Sequence, residues 1–152
     1  MTNKLLVIPA ALAAGLAVTP ALAVHEPRVE PEHPAPEYAV ECPEGTADAG
    51  ACKVDQLTYD GWKTFKIECQ QCHGGGAMGS TFAPNLMVRF NEDGVDYGRF
   101  LYVMNHGYTG HTGAMPSMEK NPRVQKNKDA LYAYLKARAD GRLPNGRPPK
   151  PE

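Results

Sequence analysis

The chain has 152 residues, enough for one small domain with tails to spare. Its 16 Lys and Arg stand against 17 Asp and Glu, a near balance that offers no basic stripe for a nucleic-acid backbone. An apolar run from Leu5 to Val18 follows Lys4 and closes on Ala21-Leu22-Ala23, which predicts an export signal over residues 1–23. The run is too short to be a good membrane span, so the competing reading, an uncleaved anchor, is the weaker one. No later stretch is apolar enough to cross a bilayer, and the mature chain is expected to be soluble in the periplasm. Without Lys4 it has 15 basic and 17 acidic residues, and any electrostatic steering would favour a positive patch on a partner.

Residues 24–54 form a Pro- and Glu-rich extension, with His25-Glu26-Pro27, Glu30-Pro31-Glu32 and His33-Pro34-Ala35-Pro36. The stretch has no apolar period and reads as an extended linker, with His25 and His33 as solvated residues rather than a metal pair. Cys42 and Cys52 bracket the turn-rich segment 43–51, and in an oxidising compartment a local disulfide is the simplest reading. A redox role for this pair is the alternative.

Helical periodicity begins near Thr58 and runs to Gln71, with Trp62, Phe65, Ile67 and Cys69 along it. A loop rich in Gly, Ser and Pro extends from His73 to Asn85. Tyr97, Phe100, Leu101 and Met104 then fall at i, i+3, i+4, i+7, one face of a second helix, with Asp96 to cap its start and Gly107 to end it. A second irregular loop covers Tyr108 to Lys126. The last helix sets Leu131, Tyr134 and Leu135 on one face, with Asn127 as N-cap, Arg138 suiting the helix dipole and Gly141 as stop. Beyond it, residues 142–152 contain four prolines and read as a surface tail. No strand alternation is convincing, so the expected class is all-α, with three main helices over a domain at 55–141. Two long loops in so small a domain need something to hold them, and a large apolar cofactor at the centre would serve.

Cys69-Gln70-Gln71-Cys72-His73 is the C-x-x-C-H signature of c-type haem attachment. Two thiols at this spacing can add to the two vinyl groups on one porphyrin edge, and the adjacent imidazole can turn to the iron. A thioredoxin-like pair would need a βαβ pattern, which is missing. Half a zinc site would need a second pair at finger-like spacing, and nine residues separate Cys42 from Cys52.

These residues resemble the class I cytochromes c. Gly61 and Phe65 stand eight and four residues before Cys69, matching that family's first helix, and Gly74 completes the motif. The resemblance spans about Asp55 to Gly141 and implies a small fold wrapped around one covalent haem c. It implies that Gly61 lets the first and last helices cross closely. Phe82-Ala83-Pro84-Asn85-Leu86 resembles the loop whose proline carbonyl accepts the proximal imidazole's proton, which would give Pro84 that role toward His73. Met115-Pro116 resembles the family's Met-Pro loop, which would make His73 and Met115 the two iron ligands. Met118, His111 and His106 are the rivals for the sixth position, and Met78, Met87 and Met104 read as packing residues. Trp62 and Tyr108 are open between lining the haem and sitting in core or rim.

With both axial positions filled, outer-sphere transfer of single electrons is the natural chemistry rather than enzymic turnover. The segments Ala130–Arg138, Ala139–Pro144 and Gly79–Leu86 resemble the methanol-metabolism-related c-type cytochromes. That resemblance implies a quinoprotein (pyrroloquinoline quinone) alcohol or methanol dehydrogenase as donor and a downstream cytochrome or terminal oxidase as acceptor. The chain departs from a closer match in having no cysteine after Cys72. A general respiratory shuttle is the second reading, and a haem sensor or peroxidase-like protein with an open sixth site is the third.

Overall fold

The computed structural model describes residues 26–110 and 113–152, so the expected export signal, His25 and His111 lie outside the described residues. Six α-helices carry the fold among them: α1 (Gln56–Glu68), α2 (Gln70–His73), α3 (Leu86–Asn91), α4 (Tyr97–His106), α5 (Pro122–Lys126) and α6 (Lys128–Ala139). Two antiparallel ladders are too short to form a layer. One pairs β1 (Val40–Glu41) with β2 (Lys53–Val54), the other β3 (Tyr108–Gly110) with β4 (Gly113–Met115). The all-α expectation holds, and no described helix is long and apolar enough to cross a membrane.

The α1 helix starts where Asp55 accepts a hydrogen bond from the Thr58 N–H at 2.8 Å, satisfying one of the donors that a helix start leaves orphaned. It buries Tyr59, Gly61, Thr64 and Phe65 against α6. At Gly61 the two backbones nearly touch: a Cβ there would overlap the Ala130 carbonyl and crowd the Tyr134 Cβ. Phe65 and Tyr134 then pack with tilted rings, centroids 5.5 Å apart. Burying each such side chain contributes roughly 1.5–3 kcal/mol.

The α6 helix is buried on nearly all sides, from Ala130 through Leu135 and again from Ala137 to Ala139, a wider face than the single stripe read from the sequence. Its second flank meets α4 and α3 through Tyr132, whose ring lies 4.9 Å from Tyr97, 5.4 Å from Phe100 and 5.8 Å from Phe90. Both proposed caps of α4 form: the Asp96 carboxylate accepts from Arg99 N–H at 2.8 Å, and the Gly107 N–H donates to Val103 at φ +77°. Asn127 does not cap α6 with its side chain. Its amide donates instead to the Arg123 carbonyl at 2.8 Å and finishes α5, a helix that the broken periodicity of that loop concealed.

The extension and the tail differ from their sequence reading, because both pack on the helices. Val29 N–H bonds to the Gly98 carbonyl at 3.2 Å. Buried Arg99 reaches the Pro27 carbonyl at 2.8 Å and the Glu26 carboxylate at 2.9 Å. Tyr38 donates to Asp140 at 2.8 Å. His33 is exposed, as a linker residue would be, yet it rests 5.7 Å from the Tyr97 ring and 3.2 Å from Asp129. Cys42 and Cys52 are joined by a disulfide, and Cys42 Sγ lies 3.2 Å from the Arg142 carbonyl, so the staple abuts the tail. In that tail Leu143 is only 1% exposed, and Pro148 is buried. The N–H groups of Arg142 and Leu143 both bond to the Ala137 carbonyl, at 3.0 and 3.1 Å. One apolar residue among prolines and charges has no period to betray it, which is why the tail looked like surface.

Two substitutions test this packing. Gly61→Ala places a methyl against a backbone carbonyl that no rotamer change can move, and should cost about 2 kcal/mol or more of unfolding free energy in denaturant titration. Leu143→Ala should cost about 2–4 kcal/mol, whereas a free surface tail would register almost nothing.

Candidate cofactor site

The α1 helix ends at Cys69, and α2 is the single turn that follows. Cys72 and His73 N–H both return to the Cys69 carbonyl, at 3.2 and 3.0 Å. That turn brings the i and i+3 thiols to one side, as helical spacing requires. Neither cysteine is in a disulfide; Cys69 is half-buried and Cys72 exposed. Burial, with the neighbouring Glu68 charge added, pushes the Cys69 thiol up to about 12.

Beyond His73 the chain reverses and closes on itself. Gly79 N–H donates to the His73 carbonyl at 2.8 Å, and Ser80 Oγ donates to the Cys72 carbonyl. At Gly79 a Cβ would run into the backbone of Pro84 and Asn85, so only glycine lets the two arms of the loop meet. This meeting carries the Pro84 carbonyl to the His73 imidazole. His73 is 8% exposed, and its Nδ1 is buried without a hydrogen bond of ordinary geometry. Burial lowers its pKa, and the Pro84 carbonyl pulls it partly back, a polar contact short of a formed bond. A neutral imidazole, held by burial, is the form that donates an electron pair to a metal.

Arg138 holds this loop from below, a role the sequence reading missed. Its Nη2 and Nε donate to the Gly76 carbonyl at 3.0 and 3.3 Å, and Nη1 donates to the Leu143 carbonyl at 2.7 Å. Its position next on the apolar face of α6 was the available signal. A cation there reads as the end of a stripe unless it is asked which carbonyls satisfy it.

The β3–β4 hairpin places Met115 opposite Tyr108. It folds back on the end of α4, where Met118 N–H bonds to the Met104 carbonyl at 2.8 Å and Ser117 Oγ donates to the Asn105 carbonyl. Met115 and Met118 are both half-buried against the core, so burial does not separate them. Met104 is buried and Met87 half-buried in the same core, whereas Met78 is 52% exposed and so is not the packing residue expected. His106 is exposed, stacked on Tyr102 at 4.3 Å with Nδ1 2.9 Å from the Tyr102 carbonyl, and so is engaged on the outside of its helix. Trp62 is half-buried beside Tyr59 and beneath the Arg147 guanidinium, and Tyr108 is 40% exposed beside Arg99, so neither stands in the core proper. The hairpin approaches the other loop at Gly113, where a Cβ would sit 3.2 Å from the Phe82 carbonyl oxygen.

Among the described residues no three His, Cys, Asp or Glu side chains gather around a point that could hold a bare ion. The donor set is instead two cysteine sulfurs on one turn, a buried neutral imidazole with an unsatisfied nitrogen beside a carbonyl, and the Met115 thioether on a hairpin that approaches the same loop at Gly113. Such a set fits a metal macrocycle held covalently at one edge.

The comparisons agree. A family model described as cytochrome c oxidase, cbb3-type, subunit III matches residues 56–135. Cytochrome c-555 of Methylococcus capsulatus (Bath) is 38% identical over 107 residues, covering 70% of this chain and 82% of that protein. Cytochrome c-553I of Paracoccus denitrificans is 39% identical over 110 residues, covering 70% of this chain and 47% of its own length. The crystal structure of the c-type cytochrome XoxG from Methylobacterium extorquens AM1 superposes with a TM-score of 0.59 at 35% identity, over 65% of this chain and 60% of that one. The chain thus spans less than two thirds of XoxG and of cytochrome c-553I. It belongs to the class I c-type cytochromes, carries covalent haem c, and is an electron-transfer protein rather than an enzyme.

Proposed function

We propose that Cys69 and Cys72 would hold the haem as thioethers, that His73 and Met115 would ligate its iron, and that the Pro84 carbonyl would accept a hydrogen bond from His73 Nδ1–H. Burial keeps His73 neutral, and the Gly79 closure keeps Pro84 against it. Pro116 stiffens the turn behind Met115. When bound, the haem supplies a reversible one-electron iron couple. With imidazole and thioether both engaged, no coordination position remains for oxygen or peroxide, and the chain's own part is to orient ligands, exclude water and set the potential.

We further propose that the protein works in the periplasm, exported by the signal over residues 1–23. It accepts single electrons from a quinoprotein methanol dehydrogenase and passes them to a downstream cytochrome or oxidase. The observation that carries this reading is the 35% identity to XoxG, supported by the resemblance of Ala130–Pro144 and Gly79–Leu86 to methanol-metabolism-related cytochromes. The haem domain covers residues 55–141, with the extension at 24–54, stapled through Cys42 and Cys52, and the tail at 142–152 strapped over it.

Two experiments test these assignments. Met115→Ala should abolish the charge-transfer band of methionine ligation, admit exogenous ligands and lower the potential, while Met118→Ala should leave all three unchanged. The reverse pattern would move the ligand to Met118. In stopped flow, oxidised holoprotein mixed with a quinoprotein methanol dehydrogenase and methanol should be reduced quickly and saturably. If dithionite reduces the haem but the dehydrogenase does not, the general respiratory shuttle becomes the better reading.

A further inference from the structure

The charges of this chain are unevenly placed. Residues 26–48 hold seven Asp and Glu against Arg28 alone, whereas residues 49–152 hold 14 Lys and Arg against 10 Asp and Glu. Within the second segment lie two stretches with no Asp, Glu, Lys or Arg at all: the 20 residues from Cys69 to Val88 and the 12 from Gly107 to Met118. At the chain's average of 22% charged, stretches of that combined length would carry about seven.

The two stretches meet in the fold. Ser80 Oγ reaches the Cys72 carbonyl, Phe82 N–H bonds to Ser80 Oγ at 3.0 Å, and the Phe82 carbonyl oxygen abuts Gly113 of the β3–β4 hairpin. The segment 78–83 therefore borders both the thiol-bearing turn and the Met115 hairpin. Here the chain leaves Phe82 71% exposed and Met78 52% exposed, with Thr81 and Pro116 also at the surface. The Arg138 guanidinium comes within 3.8 Å of Met78 Sδ, but it is buried and its donors are spent on the Gly76 and Leu143 carbonyls. The other charges bordering this region are paired. Glu68 meets Arg123 at 2.9 Å and Asn121 at 2.8 Å, and buried Arg99 meets Glu26 at 2.9 Å.

We infer that this uncharged face, Met78–Phe82 with Gly113–Pro116, is the electron-exchange surface, and that it docks proteins presenting an equally uncharged, apolar patch around their own redox centre. The inference rests on the electron-carrier reading and not on the identity of the donor. Association here comes from removing apolar surface from water, which salt does not screen. A lysine-ringed partner would gain nothing from this face, since the acidic surplus lies on the extension. The sequence-level expectation of steering toward a positive patch therefore does not carry over to the exchange surface.

A second copy of the protein presents the same surface and serves as the probe. Electron self-exchange is measured from NMR line broadening in mixtures of reduced and oxidised holoprotein. The rate should vary less than about threefold between about 10 and 500 mM salt, where charge-steered encounters change by about tenfold or more. Phe82→Lys should slow exchange about tenfold at low salt and recover with added salt, because it sets two like charges face to face. Thr81→Lys should do the same, and replaces it if Phe82→Lys alters the haem spectrum. Ala35→Lys, the same charge on the exposed extension, should change little. A wild-type rate that varies tenfold with salt, or face variants indistinguishable from Ala35→Lys, would overturn the inference. The measurement contains no dehydrogenase, so its failure and the failure of the donor assignment are separate results.

Discussion

Everything in this molecule depends on how closely α1 approaches α6. The contact at Gly61 lets the Ala130 carbonyl and the Tyr134 side chain occupy the space a Cβ would take, and Phe65 then packs its ring, tilted, against Tyr134 one turn further on. That crossing fixes where α1 ends, and the end of α1 is where Cys69, Cys72 and His73 are presented. On the opposite flank of α6, Tyr132 gathers Phe90, Tyr97 and Phe100, which fixes α4 and hence the hairpin that leaves its C-terminus. One buried helix thus sets the positions of both the His73 loop and the Met115 hairpin.

The loops are positioned by backbone contacts more than by side-chain packing. The His73 loop closes through Gly79 onto Pro84 and is tied to α6 by the Arg138 guanidinium at the Gly76 carbonyl. A buried cation is costly unless its donors are satisfied, and here carbonyls on two separate segments satisfy it. Arg138 therefore couples the tail, through Leu143, to the loop that holds His73. The extension adds a second strap, held where Arg99 of α4 donates to the Pro27 carbonyl and where Tyr38 donates to Asp140 at the end of α6.

Much of this was legible in the residues because the relevant signals are local. The α4 helix announced itself through four apolar residues at helical spacing, Asp96 at one end and Gly107 at the other, and all of these act as expected. The attachment motif and the Gly61–Phe65–Cys69 spacing are equally local. What escaped was non-local. Leu143 and Val29 are single apolar residues in proline-rich stretches, and their burial depends on surfaces that other segments supply. Arg138 looked like a helix-end cation because its partners, Gly76 and Leu143, lie in segments without periodicity. Asn127 stands at the N-cap of α6 as read, and its carbonyl accepts from Leu131 N–H at 2.8 Å, but its side chain completes α5 instead of capping α6, a single residue shared by the two helices.

If His73 and Met115 both ligate the iron, as proposed, no open coordination position remains and the haem is confined to electron transfer. The most direct measurement is exposure of the reduced native holoprotein to carbon monoxide at neutral pH, followed by visible spectroscopy. Carbon monoxide should leave the spectrum of the reduced protein unchanged. Rapid formation of a stoichiometric carbon monoxide adduct would contradict it, and would mean that the sixth position is open in the native protein.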